Sequence, residues 1–277
     1  MIKTTAHKIY IALIFIFMYA PIATLVVLSF NASKTRAKWG GFTTKWYTQL
    51  FSNSEIMQAL YNTLLIALLS AVFATLIGTI AALSIQGMKK KSRAVLMSIT
   101  NIPMLNAEIV TGISLMLMFV FVGRLMGAST SLNFFTMLIS HITFCLPYVI
   151  LQVLPKLQQM DPSIPEAARD LGCTPLRAFF KVELPEILPG VLTGMIMAFT
   201  MSLDDFVISY FTTGNGFQTL PIRIYGMTKK TATPKMYALA TIIFFVILFL
   251  LILSNLTDKS GEGKDAKPNT NLVKVED

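Results

Sequence analysis

Three carboxylates lie where carboxylates are expensive. Glu108 sits inside an apolar run from Val95 to Val122, and Asp204 and Asp205 sit inside a second from Ile187 to Phe211. Each costs roughly 2.5–3.5 kcal/mol near a bilayer centre on insertion scales, so such groups persist where they face a water-filled path or a partner charge. Neither run contains a Lys or Arg that could serve as an internal counter-ion. Acids held in this way suit a linear di- or triammonium guest. Each amine would pair with one acid, and the faces of Trp46, Phe206 and Tyr210 would cover the methylenes and add cation–π attraction. Ser202, two residues before Asp204, is a weaker polar candidate. On a helix Asp204 and Asp205 point about 100° apart. One then faces the path, while the other caps, meets a neighbouring helix or meets a partner subunit. From Arg93 to Glu108 and from Pro189 to Asp204 the rise is about 22 Å along a continuous helix, which places both acids at one level in the outer half of the bilayer. Simpler readings stand beside these. Glu108 follows Asn101, Pro103 and Asn106 and could lie at a helix break, Asp205 could be a structural acceptor, and Trp46 could be an interface anchor.

The elements that must position these groups follow from composition. The 277 residues are 54% hydrophobic and 13% charged, with 20 Phe and 16 Met, and the mean hydropathy is +0.65. A soluble domain is nearer 25% charged. Disorder, collagen, a disulfide scaffold and an ordinary soluble enzyme are excluded. Six apolar runs appear: Tyr10–Phe30, Leu60–Ile85, Val95–Val122, Phe134–Leu154, Ile187–Phe211 and Tyr237–Leu256. A spanning helix needs about 20 apolar residues, so each is read as one span of an all-α integral membrane protein. The first run is too long for a signal-peptide core and lacks a cleavage pattern, so it is read as an uncleaved helix.

The net charge of +9 is carried by basic clusters between the runs, which points to topology rather than to nucleic acid. Lys89, Lys90, Lys91 and Arg93 crowd the shortest loop. That loop is expected in the cytoplasm, with both termini on the same side. The polar stretch 258–277 is expected to be a disordered cytoplasmic tail beyond a six-span domain of residues 1–257. Cys145 and Cys173 lie in unlike surroundings and are read as structural, and His141 is read as hydrogen-bonded packing rather than as a metal ligand.

The loop 155–189 is too polar to span. Ser163-Ile164-Pro165-Glu166 has the form of a capping box with Pro in the first turn. A helix from Ile164 to Leu171 would stop at Gly172. Thr174-Pro175 restarts a helix to about Glu183, and Leu184-Pro185 is expected to end it. This hairpin is either a docking element, with small Ala167 and Ala168 admitting a partner, or a plain linker in which Glu166 only completes the cap.

Glu166-Ala167-Ala168, Gly172, Val182 and Leu184-Pro185 resemble, in identity and spacing, the EAA motif of ABC importer permeases, with Val182 where Ile is usual. The resemblance extends over nearly the whole chain. Residues 41–47 (Gly-Phe-Thr-Thr-Lys-Trp-Tyr), 140–147 (Ser-His-Ile-Thr-Phe-Cys-Leu-Pro), 166–172 and 202–205 (Ser-Leu-Asp-Asp) are similar to spermidine/putrescine permeases of the PotC type. It implies a MetI-like type I importer fold in a bacterial inner membrane. It also implies a second, similar permease subunit, two cytoplasmic ATPase subunits and a periplasmic or lipid-anchored polyamine-binding protein. Glu166, Ala167, Ala168, Asp170 and Gly172 would then form the ATPase-coupling element, and transport would proceed by alternating access.

The chain has no Gly-rich phosphate loop, so ATP hydrolysis must come from a partner, and neither an enzymatic activity nor a cofactor is expected. Two rivals remain open. One is the same machine carrying another small cation or an amino acid. The other is a membrane hydrolase in which Glu108 and Asp204 converge as acid and base.

Overall fold

The computed structural model describes residues 2–33, 38–127, 132–161, 163–214, 216–229 and 234–265. Twelve α-helices account for nearly all of the described structure: α1 (Ile2–Ser29), α2 (Lys45–Phe51), α3 (Ser54–Gln86), α4 (Lys90–Leu105), α5 (Glu108–Leu125), α6 (Phe134–Gln159), α7 (Ser163–Asp170), α8 (Pro175–Ala178), α9 (Leu184–Asp204), α10 (Val207–Thr212), α11 (Leu220–Thr228) and α12 (Pro234–Asp265). Among the described residues the sole β feature is an isolated antiparallel bridge between Asn31 and Phe42. Six helices are long and apolar enough to cross a membrane, in agreement with the all-α six-span expectation. A helix satisfies its own backbone, which is what hydrocarbon demands.

Two of the six runs are not single helices. The third divides at Asn106–Ala107, where both residues take extended ψ values of 148° and 130°. Pro103 near the end of α4 removes one amide from the ladder. The 15-residue rise from Arg93 therefore does not measure the depth of Glu108, which opens α5. The fifth run divides at Asp205, whose ψ of 123° ends α9 before α10 begins at Val207. The expected stop at Leu184-Pro185 is absent. Residues Phe179–Glu183 form a π-helical turn between α8 and α9, and Pro185 falls in the first turn of α9. The wider turn takes up the amide that Pro185 lacks, so the helical path is continuous from Pro175 to Asp204. At the other end of the chain, α12 runs on to Asp265. The boundary expected at 258 is thus not a helix end, and 266–277 lie outside the described residues.

The chain forms two compact units. One comprises Met1–Asn62 with Gln218–Leu248, and the other comprises Thr63–Phe217 with Phe249–Asp277. In the first unit the segment after α1 folds around Asn31. Its Oδ1 accepts from the amides of Ser33 and Gly40 at 3.0 and 2.8 Å, and its Nδ2 donates to the Lys38 carbonyl at 2.9 Å. The Trp46 indole N–H donates to the Asn31 carbonyl at 2.7 Å. Leu50, Ile56, Ala59, Leu220 and Leu239 form the apolar centre of this unit. Trp46→Phe keeps the ring but strands a carbonyl. It is expected to lower stability by about 1–2 kcal/mol, read as a lower thermal midpoint in detergent.

In the second unit α6 is the axis. Its buried side chains include Val149, Ile150, Val153 and Leu157, which join Ala74, Ala82, Ile187 and Ala198 in one cluster. Glycines set how closely helices approach it. A Cβ at Gly78 of α3 would lie 2.8 Å from Val149 Cγ1, and one at Gly190 of α9 would lie 2.7 Å from Lys156 Cγ and 2.9 Å from the Gln152 carbonyl. Gly190 and Gly194 stand four apart on α9. This is the small-residue spacing that lets membrane helices pack backbone to backbone. The Cys145 thiol adds a contact to the Ala198 carbonyl at 3.3 Å.

Candidate functional site

The break between α9 and α10 gives the two adjacent aspartates different environments. Asp205 is buried and turned into the protein. Its Oδ1 accepts from the Ile208 amide at 3.2 Å and its Oδ2 from the Ser209 amide at 2.8 Å. It therefore caps α10 and satisfies two of the amides that open that helix. Asp204, the last residue of α9, is exposed. Of the two orientations anticipated for this pair, Asp205 takes the capping one.

Glu108 is also exposed and is the first residue of α5. One turn further on, Gly112 meets α10 so closely that a Cβ there would lie 3.1 Å from Phe211 Cδ2 and 3.5 Å from the Val207 carbonyl. Residues four apart share a helix face, so Glu108 lies on the α10-facing side of α5. Both acids thus open or close a helix beside a break, where the peptide ladder is interrupted. Among the helices around them, α3, α9 and α10 contain no Lys or Arg, and α4, α5 and α6 carry theirs only at their far ends, Lys90, Lys91 and Arg93, Arg124, and Lys156.

The aromatic candidates divide. The rings of Phe206, half-buried, and Tyr210, exposed, lie 5.4 Å apart and flank the break. Trp46 belongs to the other unit, where it is buried with its N–H committed to Asn31. Ser202 is buried rather than open. Its Oγ accepts from Ser70 at 2.9 Å and lies 2.7 Å from His141 Nδ1. The sequence carries one further signal that its reading left as packing. His141 on α6 touches both Ser202 and, through Nε2 at 2.9 Å, Ser209.

The polar hairpin is present between α6 and α9. Gly172 has φ +86° and ends α7 in a Schellman arrangement: its amide bonds the Arg169 carbonyl at 2.9 Å and the Cys173 amide bonds the Ala168 carbonyl at 3.1 Å. The start of α7 differs from the expected capping box. Ser163 gives both its amide and its hydroxyl to Asp161 Oδ1, at 2.9 and 2.8 Å. These two donors hold the Asp161 carboxyl below the usual carboxylate range. The cap is thus supplied two residues earlier, and Glu166 is left exposed, as are Ala167, Asp170 and Gly172, with Ala168 half-buried. Ile164, Leu171, Leu176 and Phe180 are also uncovered on this polar loop, Leu171 at 87% exposure. A Cβ at Gly172 would meet nothing within 4 Å, so Gly172→Ala carries only backbone strain. About 1 kcal/mol is expected for that strain, read as faster amide exchange over residues 163–173 with the spans unchanged.

Comparison with known proteins matches this architecture. Residues 74–260 match the family described as binding-protein-dependent transport system inner membrane component. Over 257 residues the chain is 39% identical to the spermidine/putrescine transport system permease protein PotC of Shigella flexneri, covering 92% of this chain and 95% of that one. It is 39% identical over 231 residues to the putrescine transport system permease protein PotI of Escherichia coli K12, covering 83% and 82%. Among solved structures, a bacterial transporter involved in the import of the polysaccharide alginate aligns with TM-score 0.70 at 16% identity, covering 95% of this chain and 96% of that one. The chain therefore belongs to the family of binding-protein-dependent transport system inner-membrane components, as a multi-pass permease subunit and not an enzyme.

Proposed function

We propose that this permease subunit imports polyamines, with Asp204 and Glu108 as the charged stations of its path. The observation that carries this reading is the pair of exposed carboxylates at two helix breaks, with the Phe206 and Tyr210 rings beside the second break, in helices whose Lys and Arg lie at their far ends. An anionic cargo would meet repulsion there, whereas an alkyl diamine or triamine meets charge at its ends and aromatic faces along its methylenes. The spermidine/putrescine transport named for the 36–39% identical relatives supports the same cargo class.

The rest of the machine is proposed on the same footing. A second permease subunit completes the path, a polyamine-binding protein delivers the cargo on the outer side, and two cytoplasmic ATPases dock on the hairpin around Glu166, Ala167, Ala168, Asp170 and Gly172. The basic loop 89–93 and both termini face the cytoplasm. The uncovered Ile164, Leu171, Leu176 and Phe180 support docking. ATP drives the state change because the ATPases bind it with different affinity in the two states.

Uptake of labelled spermidine and putrescine into proteoliposomes holding the full assembly tests the reading. ATP-dependent accumulation of either supports it. Accumulation of a small cation or an amino acid in place of both assigns the other cargo. For the hairpin, Glu166→Lys is expected to remove the ATPase on co-purification, and retention of the ATPase with normal coupling would make the hairpin a linker.

A further inference from the structure

Behind the exposed surface of the break runs a buried chain of polar side chains that the cargo reading does not use: Ser70, Ser202, His141, Ser209 and Asp205. We propose that His141 is a positioning residue that fixes the angle between α9 and α10 and thereby aims Asp204; this rests on the reading that Asp204 faces the cargo.

His141 is 1% exposed. Its Nδ1 lies 2.7 Å from Ser202 Oγ, on the last turn of α9, and its Nε2 lies 2.9 Å from Ser209 Oγ, on the first turn of α10. Nε2 is also 3.5 Å from Asp205 Oδ2. A single ring on α6 therefore holds both sides of the interruption. One assignment of protons satisfies the chain in a single direction. The Ser70 hydroxyl donates to Ser202, Ser202 donates to Nδ1, the Nε2 proton goes to Ser209, and the Ser209 amide donates to the Asp205 carboxylate.

Between α9 and α10 the backbone is not helical at Asp205 and Phe206, so the peptide ladder does not set the angle. Other ties on α10 include the Asp205 cap, the close packing of Val207 and Phe211 on Gly112 of α5, and a bond from the Thr136 hydroxyl to the Thr212 carbonyl at 3.0 Å, at the far end of α10. Ser70, Ser202 and Ser209 are at most 2% exposed. With no water to substitute, a lost link leaves a desolvated group unpaired, and the break must shift to recover it. Asp204 sits at the pivot, so any shift changes its distance from Glu108. That distance is what a diamine of fixed length reads.

The test uses the complete assembly in proteoliposomes, with spermidine and putrescine uptake measured separately and normalised to assembled complex. The variants are His141→Ala, His141→Gln, Ser202→Ala and Ser209→Ala, with Asp204→Asn alongside. His141→Ala is expected to change the spermidine-to-putrescine ratio by roughly threefold to tenfold, with His141→Gln, which keeps an amide near Ser209, part of the way back. The two Ser variants, each removing one link, should move the ratio in the same direction even if His141→Ala assembles poorly. A role in packing alone lowers both substrates by one factor. That result across the set, or an unchanged ratio, overturns the proposal. If Asp204→Asn is impaired and the ratio is fixed in the His141 and Ser variants, positioning alone fails. If Asp204→Asn transports normally, the reading that Asp204 faces the cargo fails and this proposal with it.

Discussion

Asp204→Asn is expected to cut polyamine uptake by about ten- to a hundredfold, the range for losing a charge-assisted hydrogen bond of roughly 1.5–3 kcal/mol. The substitution keeps size and shape and removes only the charge. Asp204 is exposed at the end of α9, so the loss should appear as slower uptake with a normal amount of assembled complex. Glu108→Gln should act in the same way, because Glu108 is the second exposed carboxylate beside a helix break. Asp205→Asn should behave differently. That side chain is buried and takes the amides of Ile208 and Ser209. Its replacement is expected to cost about 1–2 kcal/mol of cap stability, so uptake and thermal stability of the complex fall together. Full uptake in both Asp204→Asn and Glu108→Gln would sink the carboxylate path.

The second large effect concerns how α9 lies on α6. Gly190→Leu is expected to destabilise the protein by at least about 3 kcal/mol, the upper range for overpacking, and to abolish accumulation in the membrane. Even the first added carbon would stand 2.9 Å from the Gln152 carbonyl, which is backbone and cannot step aside, and 2.7 Å from Cγ of the half-buried Lys156. One turn along the same face, Gly194→Ala should be tolerated, since its nearest neighbours would lie at 3.4 Å, an ordinary contact distance. Quantitative blotting of membrane fractions separates the two. Equal accumulation of Gly190→Leu and parent would mean that the helices are not held at this spacing.

The six spans were legible because composition alone specifies them: an apolar run of bilayer length has few other fates. The Gly172 corner was legible for a local reason, since only glycine takes a φ of +86° without strain. The breaks were harder to read. Asn106 and Pro103 mark the first of them, and an interruption beside Glu108 was one of the two readings open. Asp204-Asp205 can cap or turn a chain, but with apolar sequence on both sides and no Gly or Pro the run reads as one helix. With that break unseen, Ser202 and Ser209 were simply seven residues apart on one helix, and the ring of His141 had no reason to be placed between them. Pro185 misled in the opposite sense, because a π-helical turn before it removes the conflict that normally ends a helix. The cap of α7 shows a third limit. Ser163 and Glu166 had the right spacing, but Asp161, two residues upstream, competes better for the same donors.

That π-helical turn has a mechanical consequence. Because Pro175 to Asp204 forms one unbroken helical path of 30 residues, the hairpin and the break are the two ends of a rod about 45 Å long. With an ATPase docked on the hairpin as proposed, a lateral push at Leu176 is expected to swing the far tip, much as an oar turns about its lock. The helix of α6 seated against Gly190 and Gly194 is where that oar is held, and Asp204 is the blade.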